Sequence, residues 1–136
     1  MNTLSYDMTQ ILEASLTLGL VFKTNLFRHR EPAFPNTCVS LFETSGEEPL
    51  TVLNKDSGGL YEKPSMQIRI RHEDAEEGLK LGQDIIEYLH GRNQEVVNGT
   101  LYSMIRSLHP PYVLDWDDSN RIRIALNFDI QRRTSN

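Results

Sequence analysis

Apolar residues recur along this chain with two different periods, and the places where the period changes mark out the elements. From Leu4 to Leu18, the positions Leu4, Met8, Ile11, Leu12 and Ser15 share one helical stripe. Asp7 stands near the start, where a carboxylate suits the positive end of the helix dipole, and Gly19 offers a stop. The stretch LVFKTNLFRHREPAFPN then mixes apolar and basic residues around two prolines and predicts a connector with little regular structure. Asn36 to Thr44 is rich in β-branched and aromatic residues and predicts a strand. Residues 45–63 are the most loop-like region. Leu50 to Leu53 has room for a short strand, which would make a hairpin arm with its tip at Lys55 to Gly59.

The clearest pattern lies between Tyr61 and Gly91. In the strand Ser65 to Arg71, Met66, Ile68 and Ile70 point one way and Gln67, Arg69 and Arg71 the other. A strand with an aliphatic face and a guanidinium-bearing face belongs to a sheet with a core behind it and water or a neighbouring subunit in front. The period then switches to helical from about Glu73 to His90, with Glu73, Asp74, Glu76 and Glu77 crowding the first turn. Ala75, Gly78, Leu79, Gly82, Ile86 and Leu89 form one stripe, and Leu81, Ile85 and Tyr88 widen it beyond the needs of a single sheet contact. Gly78 and Gly82 permit close backbone approach, to the chain's own sheet or to another subunit.

After Gly91 the chain turns to strands: Leu101 to Ser107, Tyr112 to Trp116 beyond the Pro110-Pro111 break, and Arg121 to Ile130. The last is the cleanest, with Ile122, Ile124, Leu126, Phe128 and Ile130 opposite Arg121, Arg123, Asn127 and Asp129. The final QRRTSN reads as a frayed tail. The predicted order α, β, β, α, β, β, β gives an α+β fold. We expect one domain over residues 1–136, with a mixed or antiparallel sheet and two main helices packed on one face.

Composition narrows the function. The chain has 136 residues, a net charge of -5 and a single cysteine, Cys38, which rules out an intramolecular disulfide framework. A general duplex binder would carry a basic face, which this balance disfavours. No apolar run approaches the roughly 20 residues that span a bilayer, so no membrane partner is expected. The N-terminus does not read as a signal peptide. Ten of the 14 basic residues are Arg, the cation favoured at protein interfaces.

Sites for chemistry are sparse. Asp115, Asp117 and Asp118 lack the glycine and distal glutamate of an EF-hand loop and fall where a hairpin turn is expected. His29, His72, His90 and His109 have no zinc-ligand spacing, and no nucleophile motif or phosphate-binding glycine pattern is present. No enzyme and no cofactor are expected; an enzyme would need Asp115, Asp117 and His109 to converge in a pocket. The Arg rows remain. Arg69 and Arg71 repeat the pattern of Arg121 and Arg123, so neighbouring strands would gather four guanidinium groups and call for carboxylates from the same chain or another. These four residues for charge-assisted contacts, and Leu81, Ile85 and Tyr88 for apolar ones, are the expected subunit or partner interface. Arg69→Glu with Arg71→Glu is then expected to weaken assembly and leave the monomer folded. A solvated sheet face is the plainer alternative.

The run YEKPSMQIRIRH, the following helix ending in LHG, and the upstream LFRHREPAFPNTCVSLFETSGEEP together resemble a family of tailed-phage minor capsid proteins related to the tail terminators of long-tailed phages. The resemblance spans roughly residues 8–130. It implies a structural virion protein of the tail-neck region, assembled in the host cytoplasm as a hexameric ring. The ring would cap the tail tube, join it to the head connector, and let DNA pass through its lumen without specific binding. Alternatives are another neck or head-completion protein, or a monomeric adaptor that binds an acidic partner through its Arg face.

Overall fold

The computed structural model describes residues 1–51 and 60–134. In chain order the elements are α1 (Leu4–Glu13), β1 (Leu26–Arg28), β2 (Cys38–Thr51), β3 (Leu60–His72), α2 (Ala75–Leu89), β4 (Glu95–Val97), β5 (Thr100–Ser107), β6 (Tyr112–Trp116) and β7 (Ile122–Thr134). Among the described residues seven strands form one mixed sheet in the order β1-β2-β3-β7-β5-β4, with β6 also on β7. The β1–β2 pair is parallel and the others antiparallel. The fold is α+β, as the periodicities predict.

One edge of β7 lies along β3 for nearly its whole length, while the other is shared: its first part pairs with β6 and its second with β5. Ile68 faces Leu41 on one side and Leu126 on the other, and Ile70 lies between Val39 and Ile124. All six are fully buried. This aliphatic layer is the core, and both helices close it. The α2 helix lies on β3, β5 and β7, and α1 on β1, β2 and β3. The Tyr88 hydroxyl of α2 donates to the Ile11 carbonyl of α1 at 2.7 Å, which ties the two together.

Capping sets the helix ends. Thr3 Oγ1 accepts from the Tyr6 N–H, and Asp74 Oδ1 from the Glu77 N–H, each satisfying a donor that the first turn leaves free. The α1 helix stops at Glu13, short of the predicted Leu18. There the Ser15 hydroxyl takes the Leu18 N–H, and Leu16 is 96% exposed, so nothing apolar rewards further turns. Gly82 seats α2 on the sheet: a Cβ there would stand 3.0 Å from Pro111 Cγ and 3.3 Å from Leu126 Cδ2. The close approach that its sequence allows is made within the chain.

Other boundaries shift for tertiary reasons. The connector after Gly19 contains β1, whose three residues are too few to show a period but gain ladder bonds from β2. Residues 45–51 continue β2 with two register shifts, and β3 begins at Leu60. Gly46 holds a left-handed φ of 65° at the first of these bulges, where a Cβ would come within 2.6 Å of the Lys63 carbonyl oxygen. The expected arm tip at Lys55 to Gly59 falls outside the described residues. Of the predicted frayed tail, the described residues are instead strand. Gln131 to Thr134 extend β7 because β3 and β5 flank them, with Arg133 between Tyr61 and Leu101.

Candidate functional site

The sheet face away from the helices is built by the odd-numbered residues of β3 and β7. Register places Arg71 opposite Arg123, Arg69 opposite Ala125, and Gln67 opposite Asn127. Three of the four expected arginines gather at one end of this face, and the acids that compensate them come from the same chain. Arg71, 4% exposed, donates to the Pro35 carbonyl at 2.6 Å and approaches Glu31 Oε1 at 3.6 Å. Arg123 approaches the other Glu31 oxygen at 3.7 Å and donates to Asp115 Oδ1 at 2.7 Å. Arg121 donates to Asp117 Oδ2 at 2.8 Å and to the Ala33 carbonyl at 2.7 Å. The three guanidinium groups therefore staple the segment from Glu31 to Asn36 across the end of the sheet. Planar forks suit this, since each can meet a carboxylate and a backbone carbonyl at once.

The turn chemistry expected of Asp117 to Asn120 is present. Asp117 Oδ1 accepts from the N–H groups of Ser119 and Arg121. Partial burial alone would raise this carboxyl, but those hydrogen bonds and the Arg121 guanidinium outweigh it and hold Asp117 below the ordinary aspartate value. The acidic cluster is thus a hairpin cap and arginine partner.

Arg69 differs from the other three. It is half-buried on the open part of the face, donates to Gln67 Oε1 at 2.8 Å and lies 4.8 Å over the Phe42 ring. Among the described residues it meets no carboxylate. Around it runs a layer of paired polar side chains, with Ser65 bonded to Asp129 and Gln67 to Asn127. Asn127 in turn reaches His109. This is a polar surface whose side chains already hold one another in place.

On α2, Leu81 and Tyr88 are half-buried along the core margin, while Ile85 is fully buried beneath the helix. The apolar contacts of Ile85 are therefore made inside the subunit. Tyr88 supports Arg92, whose guanidinium lies 4.3 Å from the ring centroid.

Sequence reading missed the most exposed apolar element. Tyr112, Val113, Leu114 and Trp116 of β6 are between 39% and 50% exposed. Among the described residues β6 pairs with β7 along one edge and with no strand along the other. Beside it, a groove of about 400 Å³ runs between α2 and the β5–β6 connection, with Ile86, His90, Leu108 and Pro110 in its walls. The signal was in YVLDW itself, which lacks the alternation of a half-buried strand; read alone, that only suggests a short buried one.

The bacteriophage tail terminator protein family matches residues 10–134. The chain belongs to that family. Its fold recurs in a solved structure described as the virion of native gene transfer agent (GTA) particle, with a TM-score of 0.70 and 19% identity over 96% of this chain and 94% of that one. Among curated proteins none matches significantly. The terminator family is one of structural phage tail proteins, so this is a structural virion protein of a phage tail.

Cys38 lies in this terminator fold beneath the stapled segment, opposite Arg71 in the β2–β3 ladder and 1% exposed. Burial pushes its thiol above the ordinary value, more than the nearby Arg71 charge lowers it. We expect native protein to resist a thiol reagent near neutral pH and to react stoichiometrically once unfolded in denaturant. Rapid labelling of the native protein would show that the segment opens readily.

Proposed function

We propose that this protein is the terminator of a long-tailed phage, a ring, expected to be a hexamer, that sits in the neck at the head-proximal end of the tail tube. The match of the terminator family to residues 10–134 carries this reading. The recurrence of the fold in a gene transfer agent virion supports it. The mechanism is steric: the ring occupies the surface onto which the next tube ring would add, and its opposite face receives the head connector. The open sheet face, with Arg69 on it, is the docking surface for one of these partners; Leu81 and Tyr88 reach the surface on the opposite, helix-covered side of the sheet. Arg71, Arg121 and Arg123 serve by holding the end of that face in shape, and Ile85 by seating α2 on the core. A net charge of -5 fits a lumen that lets DNA pass without gripping it. Assembly takes place in the host cytoplasm, with no catalytic step.

Native mass spectrometry of the protein alone and with its tube protein, paired with electron microscopy of tube lengths, tests this. A ring, formed freely or only on tubes, together with arrested tube growth is the expected result. A monomer indifferent to tubes would overturn it. A ring that binds connector but not tube would reassign it as a head-completion protein.

A further inference from the structure

Two unlike surfaces stand at opposite ends of the sheet. At one end is β6, an edge strand with four exposed large apolar side chains in five residues and only one charge, Asp115. Soluble monomers protect such edges with lysine, inward charges or a covering element. Here nothing among the described residues covers it. The hairpin that follows adds carboxylates: Asp115 is half-exposed beside Arg123, and Asp118 has no partner among the described residues.

At the other end is β1, whose surroundings are cationic and aromatic. The Arg28 guanidinium lies 4.2 Å from the Phe22 ring centroid and 5.2 Å from that of Tyr6, and Lys23 lies 5.9 Å from Phe22. Among the described residues, neither these two cations nor the exposed Arg30 forms an ion pair. Val21, 51% exposed, supplies apolar area in the same segment.

Each end offers what the other lacks. The β6 end has an apolar strip, an exposed Trp116 and spare carboxylates; the β1 end has apolar side chains and spare cations. An indole face is the best aromatic acceptor for a lysine or arginine, and desolvation on association would strengthen both kinds of contact. A surface that met its own copy would instead set Asp118 against Asp118, or the Lys23 and Arg28 charges against themselves. Unlike patches that face away from each other generate head-to-tail association, which closes into a ring when the rotation permits.

We infer that the β6 edge of one subunit, from Tyr112 to Trp116, docks on the β1 edge of the next, around Lys23 and Arg28, and that this heterologous contact is the ring interface. The inference rests on the ring reading above and names the surfaces that make it. The open sheet face then stays free for tube or connector.

The test uses two disabled proteins. Val113→Asp with Trp116→Asp spoils the β6 edge; Lys23→Glu with Arg28→Glu spoils the β1 edge. Lys23, Val113 and Trp116 are exposed and Arg28 is half-buried with no ion pair among the described residues, so circular dichroism and thermal melting should show folded protein. By native mass spectrometry, with tube protein present, each variant alone is expected to lose the ring. An equal mixture is expected to give heterodimers and nothing larger, because one intact β6 edge and one intact β1 edge remain to pair. Rings that persist in both variants, while wild type also forms rings, would overturn the inference and leave the ring reading standing. Wild type that forms no ring with or without tubes would overturn both. Should a variant unfold, Lys23→Cys with Asp118→Cys in an otherwise intact chain decides the matter: a disulfide-linked ladder supports the contact, and its absence in a sample that forms rings refutes it. The buried Cys38 does not compete in that experiment.

Discussion

Arg71→Glu is expected to destabilise the folded subunit by at least about 3–5 kcal/mol, the usual cost of breaking a buried ion pair from one side. Sequence treats Arg71 and Arg69 alike, as members of one exposed row whose loss would leave the monomer folded. Structure separates them. Arg71 is 4% exposed and holds Glu31 and the Pro35 carbonyl together. Charge reversal would place a second carboxylate beside Glu31, whose side chain is only 12% exposed. It would also strip the Pro35 carbonyl of its donor. Against a typical domain stability of roughly 5–15 kcal/mol, such a loss removes much of the margin. Urea unfolding of Arg71→Glu should give a clearly lower midpoint, with Cys38 becoming reactive as the stapled segment lifts. Arg69→Glu should leave the midpoint near wild type and affect only assembly. Equal midpoints for the two variants would contradict this division.

Arg132→Met should be comparably costly and act at the other end of the molecule. Arg132 lies on the helix side of β7, 7% exposed, and donates to Glu62 Oε2 at 2.9 Å, to the Asn2 carbonyl at 3.1 Å and to the Tyr102 hydroxyl at 3.3 Å. Tyr102 donates in turn to Asp7 Oδ2 at 2.5 Å, and Asn98 donates to the other oxygen. Burial, reinforced by the bond to Asp7, pushes the Tyr102 phenol well above its ordinary value, so it stays a donor at any pH the protein meets. Methionine fills the aliphatic stem but leaves the fully buried Asp7 without the cation beyond Tyr102. We expect a loss of about 3–5 kcal/mol and release of α1 from the sheet. The double variant Arg132→Met with Asp7→Asn removes both charges and should recover part of that loss. A double variant no more stable than the single would show that Asp7 gains nothing from Arg132.

Local sequence determined much of the scaffold. Strict alternation in Met66 to Arg71 and in Arg121 to Ile130 fixed which side chains form the core, because a pleated strand leaves each residue only two sides to choose from. The helical stripe and the acidic first turn likewise placed α2 within two residues of its observed start. Family-level likeness was legible too, in the block from Tyr61 to His72.

What failed to appear in sequence depends on partners distant along the chain. Three-residue strands such as β1 and β4 exist only because β2 and β5 complete their hydrogen bonds. The last residues of β7 look like a polar tail until β3 and β5 flank them and Arg132 meets Asp7 through Tyr102. Arg69 and Arg71 share residue type and strand face, so no local rule distinguishes the open one from the buried one. That choice was made by the segment from Glu31 to Asn36 folding across one end of the sheet. The exposure of β6 was settled in the same way. A short apolar strand reads as interior by composition, and it is the absence of any described neighbour beyond its second edge that leaves Trp116 at the surface. Periodicity encodes which way a side chain points; only the assembled sheet decides what it meets there.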